Sequence, residues 1–419
     1  MSEDSGEITG GGEQRPSSAV PATTLEDNNL LSLVLCRLPS VPPSLLRASL
    51  VCKSWHSLIS DPHFIRNFRA HQKKPPLLGF SDNLGKIEFT TVLGPSDSIP
   101  AERFSLPLPV HPGSCVLRSH HGRVLVLNQV QRYFLVWDPV TGEQLNVAFP
   151  PALDGNMVFI LDGGVVCAAT DRDHVHGACH SDPFRLVFIG VLGAHIIASV
   201  YSSETLAWGN LFSIMQPPYV VRISFNCPST LLGNSICMSL FGEKTLILQF
   251  DWGRGNLALI DIPSDAHQFD ALNSGMCHFM ITPADDSGGL NFYLLSTFSI
   301  YVWKRVFNRV GIARWVRGNT IELGNLYSQK PTMRLSILGL DEDNNMILKF
   351  TDSVVFTVNL ESMEFKTLST ELPCSFYFHP FKSFYTPDQS YTEALNIVIS
   401  TKLSDTIFFR VGISCQQPS

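Results

Sequence analysis

No Cys-x-x-Cys pair occurs in these 419 residues, although ten cysteines do, at 36, 52, 115, 167, 179, 227, 237, 277, 374 and 415. Scattered thiols in a chain this long read as free side chains of a reducing compartment, not as a staple framework. Long apolar runs are also missing. Val187 to Tyr201 is the longest, broken by Gly190, Gly193 and His195, and a spanning helix needs about 20 residues. It reads as two buried strands around a turn, with no membrane partner. Clustered positive charge is lacking too: 30 Lys and Arg stand against 37 Asp and Glu, a net charge of -7. A nucleic-acid groove needs the opposite balance. Residues 1–24 have no basic start and no apolar stretch, so they read as a disordered leader and not as a signal peptide. No G-x-S-x-G, Walker A or G-x-G-x-x-G stretch is present, and no other catalytic constellation. The expectation is a non-enzyme without cofactor or metal.

What is present divides at about residue 77. Beyond it, short runs of Val, Ile, Leu, Phe, Tyr and Trp alternate with turn residues, as in Arg123–Leu127, Tyr133–Trp137 and the turn Asp138-Pro139-Val140-Thr141-Gly142-Glu143. Turns near 138, 202, 251, 303 and 351 lie 64, 49, 52 and 48 residues apart. Four-stranded propeller blades have this spacing. Residues 77–419, at about 50 per blade, give six or seven blades; a two-sheet β-sandwich stack is the other architecture left open. Trp137, Trp208, Trp252, Trp303 and Trp315 sit in or beside apolar strands and read as blade core, with a ligand-stacking rim as the alternative.

Three polar clusters are readable as loops. Asp171 to His180 holds His174, His176, Cys179 and His180, whose spacing matches no common zinc motif, so a polar surface loop without metal is expected. Asp341 to Asn345 has Met346 where a calcium loop needs Gly, and reads as a hairpin turn. Asp285 to Gly289 is the third loop.

Residues 25–71 differ in kind. Leu30, Leu31, Val34, Leu35 and Leu38 make a wide helical stripe, and Pro39, Pro42 and Pro43 stop it. Ser44 is a candidate cap for the next helix, and Asp61-Pro62 pairs a side-chain acceptor with a ring at the first helical position. Three or four short helices here carry more apolar side chains than they can bury among themselves, which points to a partner.

The order Leu25-Glu26-Asp27, Leu30-Leu31, Arg37-Leu38-Pro39, Ser44-Leu45-Leu46-Arg47, Val51-Cys52-Lys53-Ser54-Trp55 and Leu58-Ile59-Ser60-Asp61-Pro62-His63-Phe64 resembles the F-box. One position departs: the family usually opens Leu-Pro, where this chain has Leu25-Glu26. RASLVCKSW and FRAHQKKPPLLGF resemble the plant group, particularly that of grasses, which commonly carries an F-box-associated β domain. The resemblance implies docking on a Skp-type adaptor and, through it, a cullin. The contacts it implies are Leu25, Leu30, Leu31, Leu35, Leu38, Pro39, Leu46, Val51, Cys52 and Trp55. The expected organisation is an α+β multidomain chain: leader 1–24, all-α F-box 25–71, linker 72–76 and an all-β substrate-recognition domain 77–419. It would be the substrate-recognition subunit of an SCF-type ubiquitin ligase, in cytoplasm or nucleus, presenting a target protein that the sequence does not identify. An interaction scaffold outside any ligase is the alternative.

Overall fold

The computed structural model describes residues 28–385, except 83–86, 95–103, 105, 107–113, 170–173, 178, 218–219, 223–228, 243, 269–278, 285–288, 297–298, 325–334, 341–344, 351–353, 361, 363 and 370–377. The leader and Leu25 therefore lie outside the described residues, as do the loops at 285–288 and 341–344.

Four helices come first: α1 (Asn28–Leu35), α2 (Pro43–Ser49), α3 (Lys53–Ile59) and α4 (Pro62–Gln72). The Asp61 carboxylate accepts the His63 N–H at 2.9 Å, and Pro62 fills the first helical position. Ser44 does not cap α2. Pro43 opens that helix one residue earlier, after Pro42, and no side-chain cap forms. Leu31, Leu35, Leu45, Ala48, Ile59, Phe64 and Phe68 meet in a core of their own. Gln72, placed in the linker by sequence, ends α4, and its Nε2 donates to the carbonyls of Cys36 and Leu38 at 3.0 and 2.7 Å. It ties the end of α4 to the end of α1.

The remainder forms six antiparallel sheets, the blades of a six-bladed propeller. Blade 1 begins at Ser114–His120, blade 2 at Val158–Cys167, blade 3 near Val220–Arg222, blade 4 at Phe279–Pro283 and blade 5 at Leu335–Leu340. Blade 6 is composite: Leu77–Asp82 pairs on one side with Glu88–Thr91 and on the other with Phe378–Lys382, some 300 residues later. The last described strand thus closes the ring onto the first.

Outer strands such as Phe212–Met215 and Ala313–Arg317 alternate, but the inner strands of the blades are largely buried on both faces and do not. All six residues of Arg123–Asn128 are buried, for instance. Hydrophobic clusters fill every junction between neighbouring blades, including blade 6 with blade 1, where Phe89, Phe104 and Phe381 stack around Val116, Val124 and Trp137. Tryptophans add fixed links. Trp208 Nε1 donates to the Ala148 carbonyl of blade 1, and Trp315 Nε1 to the Asp261 carbonyl of blade 3, each at 2.8 Å. Trp137 and Trp303 are buried outright.

Two of the turns used to count blades were out of register. Ser299–Phe307 is one continuous strand, so the turn expected near 303 lies at 308–312. The stretch near 351 separates the second and third strands of blade 5, whereas the turns near 138, 202 and 251 separate third and fourth strands. The equivalent turn of blade 5 lies between Val355–Val358 and Phe365–Ser369.

Ring closure sets the first prediction. Phe381 is fully buried between blades 6 and 1. Phe381→Ala should cost about 3–5 kcal/mol, measured as a shift in the urea midpoint of the full chain. A shift of under about 1 kcal/mol, the size of a surface change, would mean that this strand does not hold the ring.

Candidate functional site

Helix α1 has two apolar faces. Leu31 and Leu35 point inward and are buried. Leu30, Leu33 and Val34 point outward, with Leu33 58 % exposed. Leu50 and Val51, between α2 and α3, are exposed as well, Val51 to 58 %. A 45-residue helical module thus leaves five large aliphatic side chains exposed, and apolar patches of this kind mark interaction sites in general. The implied adaptor contacts therefore separate. Leu30, Pro39 and Val51 are exposed. Leu31 and Leu35 are buried in the module's own core, and Leu46 is buried as well. Leu38, Cys52 and Trp55 are half-buried, with Leu38 and Trp55 packed against the helical core. Leu25 lies outside the described residues. The sequence reading omitted Leu33, Val34 and Leu50 from the contacts. Their signal was the i, i+3, i+4 spacing of Leu30, Leu33 and Val34, hidden because a continuous stripe was assigned to one face.

The His/Cys cluster is not a simple surface loop. His174, His176 and Cys179 converge on Cys167, the last residue of the first strand of blade 2, while His180 turns away to Asp138 Oδ2 at 2.6 Å. Cys179 is buried, and only His176 of the four is exposed. Arg123, from blade 1, donates to the carbonyls of Cys179, His180 and Asp182 and so folds this loop onto its neighbour. The Cys179 thiol, hydrogen-bonded to Cys167, draws the Cys167 thiol down to about 4 and is itself pushed up. Burial, with His176 next to it, pushes His121 down to about 2. Cys167 stands outside the sequence cluster because it ends the preceding strand, seven positions before His174.

Residues 28–70 match the F-box-like family model. The four helices are an F-box-like domain. Over 271 residues the chain is 20 % identical to an F-box/kelch-repeat protein of Arabidopsis thaliana, a match covering 58 % of this chain and 64 % of the relative, less than two thirds of its length. Among solved structures the chain is similar to a DUF4784 family protein from Bacteroides caccae (12 % identity, TM-score 0.40, 73 % of this chain and 72 % of that one). It is also similar to a chain of a nidogen/laminin complex (10 %, TM-score 0.38, 70 % and 92 %). Neither likeness bears on function.

Behind the F-box-like domain, the inner strands of the ring meet in a polar cluster. Arg118 of blade 1 pairs with Asp162 of blade 2 at 2.9 Å, donates through Nε to Ser229 Oγ at 2.9 Å, and holds Nη1 3.5 Å from His379 Nδ1 of blade 6. Arg118 and Asp162 are 8 % and 4 % exposed, so the pair is buried. Burial raises the Asp162 pKa, ahead of the opposing pull of Arg118. Burial, with Arg118 nearby, likewise pushes His120 and His379 down to about 3 each. Arg118 thus links Asp162, Ser229 and His379, and with them blades 1, 2 and 6.

A pH dependence follows. Below about 6.5 the unfolded chain protonates both histidines, whereas the folded chain keeps them neutral down to about 3. Stability is therefore lost as pH falls through that window, at up to about 1.4 kcal/mol per pH unit per histidine. Asp162, whose folded pKa is raised by burial, opposes this as pH falls through the range above the ordinary carboxylate value. Urea midpoints at pH 7.5 and 5.5 should differ clearly in the wild type and less in His120→Gln/His379→Gln. An equal drop in both proteins would assign the acid sensitivity elsewhere.

Proposed function

We propose that the chain is a substrate receptor of a cullin–RING ubiquitin ligase of the SCF type. The F-box-like domain docks on a Skp-type adaptor, and the propeller presents a target protein. The observation that carries this reading is the exposed aliphatic set Leu30, Leu33, Val34, Leu50 and Val51 on a domain whose own core is already filled by other side chains. Burying such residues against a partner supplies association energy at about 25 cal/mol per Å2 of apolar surface before the costs of ordering. The chain makes and breaks no bond. It raises the local concentration of a target lysine near a conjugating enzyme held by the same assembly. The adjacent propeller offers loops on a rigid ring, which is how recognition surfaces are usually mounted. We read the chain as a plant protein of the grass type on RASLVCKSW and FRAHQKKPPLLGF, and as working in cytoplasm or nucleus. The Leu25-Glu26 departure favours a second reading, an interaction scaffold that does not enter a ligase.

Adaptor capture separates the two. Leu30→Glu/Val51→Glu should weaken capture of a Skp-type adaptor by roughly 30-fold or more, the size of a lost interface anchor, while circular dichroism stays native because both side chains are already in water. Trp55→Ala should weaken capture too, accompanied by loss of helical stability, since Trp55 packs on the domain core. A fragment of residues 25–76, which retains Gln72, should bind as well as the full chain. Undiminished capture by Leu30→Glu/Val51→Glu would reject this docking face, and no capture by the wild type would favour the scaffold.

A further inference from the structure

We propose that Cys167, His174, His176 and Cys179 bind one zinc ion, and that this ion fastens blade 2 to the closing segment of the ring and to the F-box linker. The proposal does not depend on the ligase reading.

Four donor atoms, one from each residue, all lie within 4.8 Å of one another. His174 Nε2 is 3.3 Å from Cys167 Sγ and 3.2 Å from Cys179 Sγ, and His176 Nδ1 is 3.7 Å from Cys179 Sγ. Around a tetrahedral zinc with Zn–S near 2.3 Å and Zn–N near 2.0–2.1 Å, sulfur and nitrogen neighbours stand about 3.5 Å apart. Two thiolates and two imidazoles form a closed Cys2His2 set, the composition of structural rather than catalytic zinc. Thiolate donors select against magnesium and calcium.

The surroundings fit ligands held in place. The Ala169 N–H points at Cys167 Sγ at 3.4 Å, where it would support a thiolate. His174 turns Nε2 toward the thiols and Nδ1 toward Asp182 Oδ2, 3.6 Å away and longer than a hydrogen bond, the side on which a carboxylate commonly orients a metal-bound imidazole. His176, the exposed member, is steadied by its ring lying flat on His121, 3.8 Å between centroids and 7° between planes. His121 in turn accepts the Cys167 N–H through Nδ1 at 3.0 Å. A disulfide between the two cysteines would account for neither imidazole.

Gly177 gives the site its mechanical meaning. It lies between His176 and Cys179, with φ at +94°. Its carbonyl accepts from Ser383 Oγ at 2.9 Å and from the Phe384 N–H at 2.8 Å, both just beyond the strand that closes the ring. Pro75 of the linker packs so closely on it that an added Cβ would sit 2.5 Å from the proline ring. Fixing the residues on either side of Gly177 therefore fixes the junction of three segments. Removing the ion should loosen closure and linker while leaving the blade cores packed.

The test uses the full chain purified under reducing conditions without chelator. Elemental analysis should find about one zinc per chain, as a closed four-ligand site requires. Reduced apoprotein given Co2+ should develop the intense visible bands of a tetrahedral thiolate site, abolished by added zinc. His176→Ala, a change at an exposed position, should weaken cobalt binding at least about tenfold, and Cys179→Ser should abolish the bands. Chelation should lower the melting temperature and speed proteolysis at residues 73–76. Metal-free protein whose apoform gives no tetrahedral cobalt spectrum would overturn the proposal, whether its thiols titrate as free or two are missing to a Cys167–Cys179 disulfide. Tight zinc binding unchanged by both variants would overturn it as well, by placing the ion elsewhere.

Discussion

A twisted sheet with two apolar faces must bury both, and this requirement governs the molecule beyond residue 77. Two such sheets stacked alone would leave their outer faces in water. A ring leaves none, because each blade covers its neighbours on either side. The six junction clusters are the outcome, and their continuity hinges on a single non-local pairing, Leu77–Asp82 with Phe378–Lys382. Without it blades 5 and 1 would each face water on one side. The Arg118–Asp162–His379 cluster works at the same joint from the axis. Its net contribution to stability is small, since burying an ion pair costs about as much as the attraction returns.

The F-box-like domain solves a different problem. Its helices are seven to eleven residues long, too short to persist alone. They hold one another through a small core sealed by Gln72, which answers two carbonyls at the end of α1. So small a core cannot cover every aliphatic side chain, and what it omits is left on the surface. Internal packing and external contact thus draw on neighbouring positions of the same helix: Leu31 and Leu35 inward, Leu30, Leu33 and Val34 outward.

The succession of short helices and then strands, the helical start at Asp61-Pro62 and the repeating antiparallel unit were all legible in the sequence, because each is written in local periodicity or turn chemistry. Blade number was bounded but not fixed. Thr351-Asp352 carries the same polar signal as Ser202-Ser203 although it joins different strands, and Phe307 continues a strand where Trp303 seemed to end one. What the sequence could not display was proximity. Cys167 meets His174 and Cys179 because the strand before the loop pairs with the strand after it, Cys167 opposite Phe184, and Arg123 of another blade bonds the loop's carbonyls. The Leu30 and Leu31 faces likewise became distinct only once the helical core had chosen one of them.

Closure by a strand some 300 residues downstream has a temporal consequence. During synthesis at about 5–20 residues per second, the helical domain is complete long before the partner of Leu77–Asp82 has left the ribosome. Throughout that interval the edge of this strand lies open, a template for unwanted pairing with other chains. Its hydrogen bonds must await a contact of very high sequence separation, the slowest kind to form. A nascent chain of this protein therefore carries a finished helical domain, with Leu30, Leu33 and Val34 already exposed, well before it has a closed ring.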